Sequence, residues 1–210
     1  MPAILTSRDV IVINFLESSN IVLTAEQIGK IFYSQNARDD KSSLKIAQKR
    51  LKKMVDLKYV KRFRNYSNQQ YYYYISNKVP KLTDHKLLIS EFITRMAQDN
   101  FQLESVKLEW THFQKDYHLR PDAFISFKYL SRDFYILLEC DSSKKFTNED
   151  KYYKLFTDRK NSKEIQEVLP LKKVLIVSLC DAKPDTSKVT PVWIKTNFSN
   201  FSQLKYKFVK

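Results

Sequence analysis

Apolar residues in the first third of the chain recur with helical spacing and then with strand-like spacing. The pattern predicts helices at Arg8–Glu17, from Thr24 to about Ser34 and from Lys41 onward, and then strands at Tyr59–Arg64 and Tyr71–Ile75. Thr24 and Gln27 form a T-x-x-Q capping box, and Asp39 or Asp40 can cap the third helix. Gly29, inside the second helix, indicates a close approach to another helix.

The third helix presents two different faces when its residues are placed at about 100° per residue. An apolar arc holds Leu44, Ala47, Leu51, Met54 and Val55, and a polar arc holds Lys41, Lys45, Gln48, Lys49 and Lys52. Because no acid lies between Lys41 and Lys53, like charges spaced at i,i+4 repel each other in the isolated protein. A polyanion relieves this repulsion and releases its counterions. The polar arc therefore predicts a nucleic-acid partner, and a lysine-rich solvated face is the alternative.

Three helices followed by a hairpin are typical of a winged helix-turn-helix. In that domain the third helix enters the major groove of duplex DNA, and the hairpin, or wing, touches the neighbouring backbone or minor groove. Lysine and arginine neutralise phosphates, whereas Gln48 or Ser43 can read a base edge. The predicted DNA-binding residues are Lys41, Ser42, Ser43, Lys45, Gln48, Lys49 and Lys52 in the helix, and Lys61, Arg62 and Arg64 in the wing.

The remainder of the chain follows a predicted linker at 77–83, where Pro80 disfavours a helix. Helices are predicted from Thr83 to about Gln98 and from about Asn148 to Lys160, and strands at Phe101–Trp110, Asp122–Tyr129, Phe134–Cys140 and Leu171–Leu179, with Val192–Thr196 as a further candidate. A box formed by Thr147 and Asp150 opens the second of these helices. The predicted fold class is α+β, with a winged helix-turn-helix at 1–76 and an α/β domain at 84–210.

Charge and composition narrow the class of partner. A net charge of +14 and a pI near 9.6 favour a polyanion. The single glycine argues against a glycine-rich phosphate loop and against a dinucleotide fingerprint. Two cysteines, Cys140 and Cys180, suit a reducing cytoplasm, which is the expected location. The sequence shows neither a secretory signal nor a membrane-spanning stretch, so no membrane partner is expected.

Acidic residues lie at the ends of two predicted strands in the second domain. Pro121-Asp122 begins one strand and Glu139-Cys140-Asp141 ends the next, so the three carboxylates are expected to converge. Clustered carboxylates raise one another's pKa and are normally held by a cation, and oxygen ligands suit Mg²⁺ or Mn²⁺. Such an ion can activate water against a phosphodiester. Alternatively, Asp122 caps a turn and Asp141 opens a loop, but Glu139 follows an apolar run and needs a buried partner.

These acids and their spacing resemble the PD-(D/E)XK nuclease fold. The winged helix, the linker, a helix containing HKL, and the segments RPDAFI and ILLECD are together similar to the bacterial replication-relaxation family. The resemblance implies a DNA-binding protein of a plasmid or other mobile element, acting in its replication, mobilisation or regulation. It also implies that Asp122 and Glu139 bind the metal ion. The catalytic lysine of the motif falls at Asp141, so Lys144 or Lys151 would have to supply its charge.

Three functions are open at this point. The first is sequence-specific binding of double-stranded DNA at an origin or operator. The second adds metal-dependent cleavage or nicking, with Asp122, Glu139, Asp141 and Lys151 as catalytic candidates and Mg²⁺ or Mn²⁺ as cofactor. The third is transcriptional regulation by a homodimer whose second domain only dimerises, and the aromatic tail Phe198–Phe208 then offers the contact.

Overall fold

The computed structural model describes residues 5–67, 69–141, 146–171 and 173–208. Its contacts divide the chain into two compact units, with the boundary between Phe101 and Gln102. Each unit combines helices with a β-sheet, which confirms the α+β class. Within the described ranges, none of the helices combines the length and the apolar character that a membrane span requires.

The first unit combines helices with a small antiparallel sheet. In chain order its elements are α1 (Ser7–Ser19), β1 (Leu23–Thr24), α2 (Ala25–Ile28), α3 (Asp40–Asp56), β2 (Lys61–Phe63), β3 (Tyr72–Tyr74) and α4 (Asp84–Gln98). A π-helical turn, Gly29–Tyr33, and a 3₁₀ turn, Ser34–Asn36, continue α2. The sheet has the order β1-β3-β2, so the second strand of the β2–β3 hairpin lies in its middle.

Side-chain caps lie at the start of all four of the helices α1 to α4. The hydroxyl of Thr24 accepts from the amide of Gln27 at 3.2 Å, and Oε1 of Gln27 accepts from the amide of Thr24 at 3.0 Å, which confirms the predicted capping box. The carboxylate of Asp39 accepts from the amide of Ser42 at 2.7 Å and begins α3, and Thr83 caps α4 in the same way. Each cap satisfies backbone N–H groups that have no partner within the helix.

The single glycine of the chain lies where the second helical segment meets α3. A Cβ at Gly29 would lie 3.1 Å from the carbonyl carbon and oxygen of Ser43 and 3.2 Å from the amide nitrogen of Leu44. These distances are shorter than an ordinary contact, and the opposing atoms belong to the backbone of a packed helix. Gly29 therefore permits the close approach of two helices that its position in the sequence predicts.

A buried carboxylate joins three helical segments of the first unit. Asp9 of α1 is fully buried, and its two oxygens accept from the guanidinium of Arg50 in α3, with Nε at 2.9 Å. The hydroxyl of Tyr33 donates to Oδ1 at 3.2 Å, and the amide of Thr6 donates to Oδ2 at 2.7 Å. Burial raises the pKa of Asp9, but the hydrogen bonds from Arg50 and Thr6 outweigh burial and bring the pKa down to about 2. The ionised carboxylate thus holds α3 in one rotation about its axis.

Helix α4 packs within the first unit. The hydroxyl of Ser90 donates to the carbonyl of Val22 at 2.9 Å, and the apolar side of the helix is buried. The boundary of the unit therefore follows Phe101, whereas the sequence places it at the linker 77–83 and begins the second domain at residue 84. The reason for the difference is physical, because an apolar helix face does not specify which core it joins.

The second unit is built on one five-stranded mixed sheet. Its elements are β4 (Gln102–Leu108), α5 (Gln114–Tyr117), β5 (Ala123–Tyr129), β6 (Arg132–Cys140), α6 (Glu149–Arg159), α7 (Lys163–Val168), β7 (Val174–Leu179), β8 (Val192–Ile194) and α8 (Gln203–Tyr206). The strands follow chain order, with antiparallel pairing from β4 to β6 and parallel pairing from β6 to β8. Helices α6 and α7 lie in the crossover that the parallel pairing of β6 with β7 requires.

One face of this sheet carries a large apolar and aromatic core. Phe124, Leu137 and Ile176 come from three neighbouring strands and pack with Tyr152 and Leu155 of α6. This cluster holds α6 against the sheet, and it places the first turn of α6 beside the carboxyl end of β6, where the predicted acids lie.

The aromatic tail covers the opposite face of the sheet. The ring of Phe208 lies 5.3 Å from that of Phe127 and 4.7 Å from that of Phe134, and Phe198 and Phe201 are buried as well. Since these side chains complete the core of their own unit, they are not available for contact with a second copy. The burial of these phenylalanines therefore contradicts the hypothesis that they form a dimer contact.

Lys58 is expected to limit the stability of the end of α3. Its amide donates to Val55 at 2.9 Å and the amide of Tyr59 donates to Met54 at 3.0 Å, a Schellman closure that holds Lys58 at φ 63°. A Cβ in this conformation costs about 1 kcal/mol, which glycine avoids. We expect the free energy of unfolding of Lys58→Gly to be about 0.5–1 kcal/mol higher than that of Lys58→Ala. Urea denaturation measures both values. Lys58→Ala removes the same charge but keeps the Cβ, so equal stabilities would contradict this explanation.

Replacement of Asp9 by asparagine is expected to destabilise the first unit by about 2–3 kcal/mol at neutral pH, because Arg50 loses its charged partner. A folded pKa of about 2 against an ordinary value of 3.8 corresponds to about 2 kcal/mol. Because the pKa is lowered, this stabilisation is complete above pH 3.8 and is lost as the pH falls toward 2. Urea denaturation at about pH 6 and about pH 2.5 measures both effects.

Glu26→Gln is the matched control for Asp9→Asn. It removes a carboxylate whose ion pair with Lys30, at 2.7 Å, is partly exposed, and we expect a change below about 0.5 kcal/mol. If Asp9→Asn cost no more than the control, or if its cost did not shrink in acid, Asp9 would not be the residue that holds α3.

Candidate nucleic-acid interface and acidic site

The outer face of α3 is basic and its inner face is apolar. Lys41, Lys45, Gln48, Lys49 and Lys52 are exposed, whereas Ala47, Leu51 and Met54 are fully buried. This division follows from the helical period, and the contacts of Asp39 and Arg50 determine where α3 begins and how it is rotated. Several positive side chains on one exposed face can contact the same polyanion simultaneously.

Two serines of the predicted interface lie deeper than the lysines. Ser43 is only 1% exposed, its hydroxyl donates to the carbonyl of Asp40 at 2.9 Å, and its backbone lies against Gly29. The prediction that Ser43 faces the groove is therefore wrong, because its position on the helix is on the side of Ala47. Ser42 is half-buried in the first turn.

The β2–β3 hairpin carries the other predicted cations. Lys61, Arg62 and Arg64 are exposed. The ammonium of Lys61 donates to the carbonyl of Ser76 at 3.1 Å, and the guanidinium of Arg64 donates to the carbonyl of Ser67 at 2.5 Å. A backbone carbonyl carries no net charge, so these contacts do not neutralise the charges of Lys61 and Arg64.

Both arginines of the hairpin lie over the same aromatic ring. The guanidinium carbon of Arg62 is 4.3 Å from the ring centroid of Tyr71, and that of Arg64 is 4.8 Å from it. At these distances a cation is attracted to the face of an aromatic ring. Sequence reasoning missed Tyr71, although the spacing of Arg62 and Arg64 by two residues was a signal that they share one face of a strand.

Arg50 belongs to the same basic run of sequence but is not part of the interface. It faces Asp9, and the hydrogen bonds that its guanidinium donates to this carboxylate raise the pKa of the guanidinium. The sequence did contain a signal for this contact, since Asp9 is an acid within an apolar helix and needs a buried partner.

A buried carboxylate marks the carboxyl end of β6. Glu139 is 5% exposed, and its Oε1 accepts from the hydroxyl of Tyr152 at 2.6 Å and from the amide of Asn148 at 3.1 Å. Burial raises the pKa of Glu139 to about 7, the two hydrogen bonds oppose the rise, and the charges of Asp122 and Asp141 add to it. Glu139 therefore gains or loses its proton near neutral pH.

Asp122 and Asp141 extend the sheet beside Glu139. Oδ2 of Asp122 accepts from the amide of Cys140 at 2.7 Å, and the amide of Asp141 donates to the carbonyl of Leu179 at 3.0 Å. The structure thus brings the three predicted acids to one end of the sheet, where two of them raise the pKa of the third. Burial and these acids also raise the pKa of the Cys140 thiol well above its ordinary value, which argues against a nucleophilic role.

The donor set of this cluster does not match a metal centre of three or more protein ligands. In the part of the chain that the structure describes, no group of three or more His, Cys, Asp or Glu side chains is placed to hold a metal ion. Lys151 lies on the exposed side of α6, whereas its neighbour Tyr152 faces Glu139. Lys144, the other candidate for the missing lysine, lies outside the described residues. Among the described residues, the resemblance to a nuclease motif is therefore carried by the acids and not by a lysine.

Tertiary contacts, and not a side-chain cap, place the first turn of α6. Asn148 precedes the helix without a capping hydrogen bond, and its side chain donates to Glu139 instead. The box predicted from Thr147 and Asp150 is thus absent from the start of the helix. The carboxylate of Glu149 accepts from the amide of Ser187 at 2.6 Å, which ties this turn to the segment before β8.

No protein-family model matches the chain. Searches of curated proteins and of solved structures also found no match. The resemblance to the replication-relaxation family therefore rests on sequence motifs alone.

Stability is expected to fall as the pH rises from about 4.5 to about 7, because the folded state pays for the buried position of Glu139 once the unfolded state has released its proton. Its pKa is about 7 in the folded chain against an ordinary 4.5, so between these values the folded state keeps a proton that the unfolded state has released. This difference costs nothing below pH 4.5 and up to about 3 kcal/mol above pH 7. Glu139→Gln keeps the acceptor atom and removes the charge, so it should be the more stable protein above neutral pH, by an amount that vanishes in acid.

Urea denaturation in EDTA at about pH 5 and about pH 8 measures this effect. Glu104→Gln is the matched control, because it removes an exposed carboxylate that accepts from Lys128 at 2.6 Å. The control should not reproduce the pH dependence. A constant difference between wild type and Glu139→Gln at the two pH values would contradict the assignment of a raised pKa to Glu139.

Proposed function

We propose that this protein binds double-stranded DNA through the outer face of α3 and the cationic face of the β2–β3 hairpin. The observation that carries the proposal is the exposure of four lysines on one face of a helix whose other face is buried. A helix in water usually mixes charges of both signs. Here no acid lies between Lys41 and Lys53, so the repulsion among the lysines favours a polyanionic partner.

The arrangement of the first unit supports a winged helix-turn-helix. Its helices and strands follow the order expected for that domain, and the β2–β3 hairpin completes a three-stranded antiparallel sheet. In this interpretation α3 is the recognition helix in the major groove and the hairpin is the wing. Lys41, Lys45, Lys49 and Lys52 then neutralise phosphates, and Gln48 is the candidate for reading a base edge.

The second unit is interpreted as a PD-(D/E)XK-like domain that serves binding. A mixed sheet with acids at the ends of neighbouring strands supports this likeness. Binding is preferred to cleavage because Asp141 occupies the position of the motif lysine and because Glu139 is already held by two hydrogen-bond donors. Cleavage with Mg²⁺ or Mn²⁺ stays a prediction, as does a role in the replication, mobilisation or regulation of a mobile element.

The double variant Lys45→Ala/Lys49→Ala is expected to bind a labelled duplex of random sequence at least about tenfold more weakly near physiological salt. Removal of one phosphate-neutralising side chain reduces the magnitude of the slope of log affinity against log salt by about 0.9, so the slope should change by about 1.8. Fluorescence anisotropy over a series of salt concentrations measures the affinity and the slope together.

The control is Lys78→Ala/Lys81→Ala, which removes the same charge from exposed residues of the first unit outside α3 and the hairpin. We expect its salt slope to stay near that of the wild type. If the two double variants lost affinity equally, net charge and not the α3 face would explain binding. A wild-type chain that bound no duplex would overturn the proposed function.

A further inference from the structure

We infer that Tyr71 is a positioning residue, whose ring holds the guanidinium groups of Arg62 and Arg64 ready for the phosphate groups of bound DNA. The inference rests on the proposed function. It gives a role in DNA binding to Tyr71, whose side chain is uncharged. It concerns the hairpin alone, so it can be tested separately from the contribution of α3.

Strand geometry places the three side chains together. Arg62 pairs with Tyr73 across the hairpin, and Tyr71 and Arg64 lie two residues from these partners on the same face. The guanidinium carbons lie 4.3 Å and 4.8 Å from the centroid of the Tyr71 ring. Tyr71 is half-buried whereas both arginines are exposed, so the ring forms a base on which the two cations rest.

The opposite face of the hairpin is used for packing. The ring of Phe63 stacks on Tyr72 at 5.7 Å and meets Tyr74 edge-on at 5.5 Å. Tyr72 also lines a small cavity with Leu87 and Glu91 of α4. Because alternate residues of a strand point to opposite faces, Arg62, Arg64 and Tyr71 share the other face with Tyr73, which is buried while the two arginines are exposed.

Holding the two arginines in place matters for binding because both are long and both are positive. An arginine that is free in solution loses rotamer freedom when it contacts a phosphate, and one already held over a ring loses less. The negative face of the ring also offsets the repulsion between two neighbouring cations. A guanidinium that contacts the ring with its flat face keeps N–H groups at its edge for the paired hydrogen bonds that phosphate accepts.

The test is a double-mutant cycle on the full chain with the same labelled duplex of random sequence. Tyr71→Ala should weaken binding about fivefold to tenfold, and Tyr71→Phe, which keeps the ring, should bind within about twofold of wild type. Removal of both arginines should cost less affinity in the Tyr71→Ala background than in the wild type. Tyr66→Ala, which removes an exposed tyrosine from the tip of the hairpin, is the control and should show no such coupling.

Thermal unfolding followed by circular dichroism shows whether each variant is folded. Tyr71→Leu keeps apolar bulk without an aromatic face and replaces Tyr71→Ala in the cycle if the alanine variant does not fold. Coupling to the arginines together with recovery in Tyr71→Phe supports the inference. Wild-type affinity in Tyr71→Ala, additive losses, or equal coupling by Tyr66→Ala overturns it and leaves DNA binding intact. A wild-type chain that binds no duplex overturns the proposed function itself.

Discussion

The surface that α3 presents depends on one directional contact, the ion pair between Asp9 and Arg50. The inner face of the helix is apolar, and hydrophobic contact has no preferred direction, so packing alone would tolerate some rotation of the helix. A carboxylate that accepts from two guanidinium nitrogens has a fixed geometry. Gly29 adds a second limit, because it lets the backbone of α3 come close at one point only. Together these two contacts determine which side of α3 faces water.

The chain contains a single glycine, so both units place other residues at positions where glycine is usual. Backbone positions with positive φ are usually occupied by glycine, but here they fall on Lys58, His118, Leu130 and Ser131 among others. The chain accepts local strain at these turns, and its single glycine lies at a helix contact with an ordinary helical conformation. The single glycine therefore serves the close approach of two helices, where a Cβ would crowd the backbone of α3, whereas the turns with positive φ carry side chains.

Much of the first unit could be predicted from sequence because the relevant signals are local. The faces of α3 follow from periodicity, and the cap at Asp39 and the box at Thr24 depend on neighbours within one turn. The unit to which α4 belongs could not be predicted, since its apolar face would suit either core. The burial of Ser43 follows from the same periodicity, since it lies four residues before Ala47, but its close contact with Gly29 on another helical segment does not. Long-range contacts of this kind leave no mark on the periodicity of the chain.

The acidic site shows the same division between local and distant information. Strand ends brought Asp122, Glu139 and Asp141 together as expected, but the donors that satisfy Glu139 come from the start of a later helix. Their presence changes the chemistry, because two donors and a pKa near 7 allow this carboxyl to stay buried without a cation. The second unit therefore does not require a positive ion to balance Glu139. The lysines along α3 are in the opposite situation, since they repel one another until a polyanion neutralises them. Under the proposed function, relief of this repulsion is the electrostatic contribution of α3 to binding DNA.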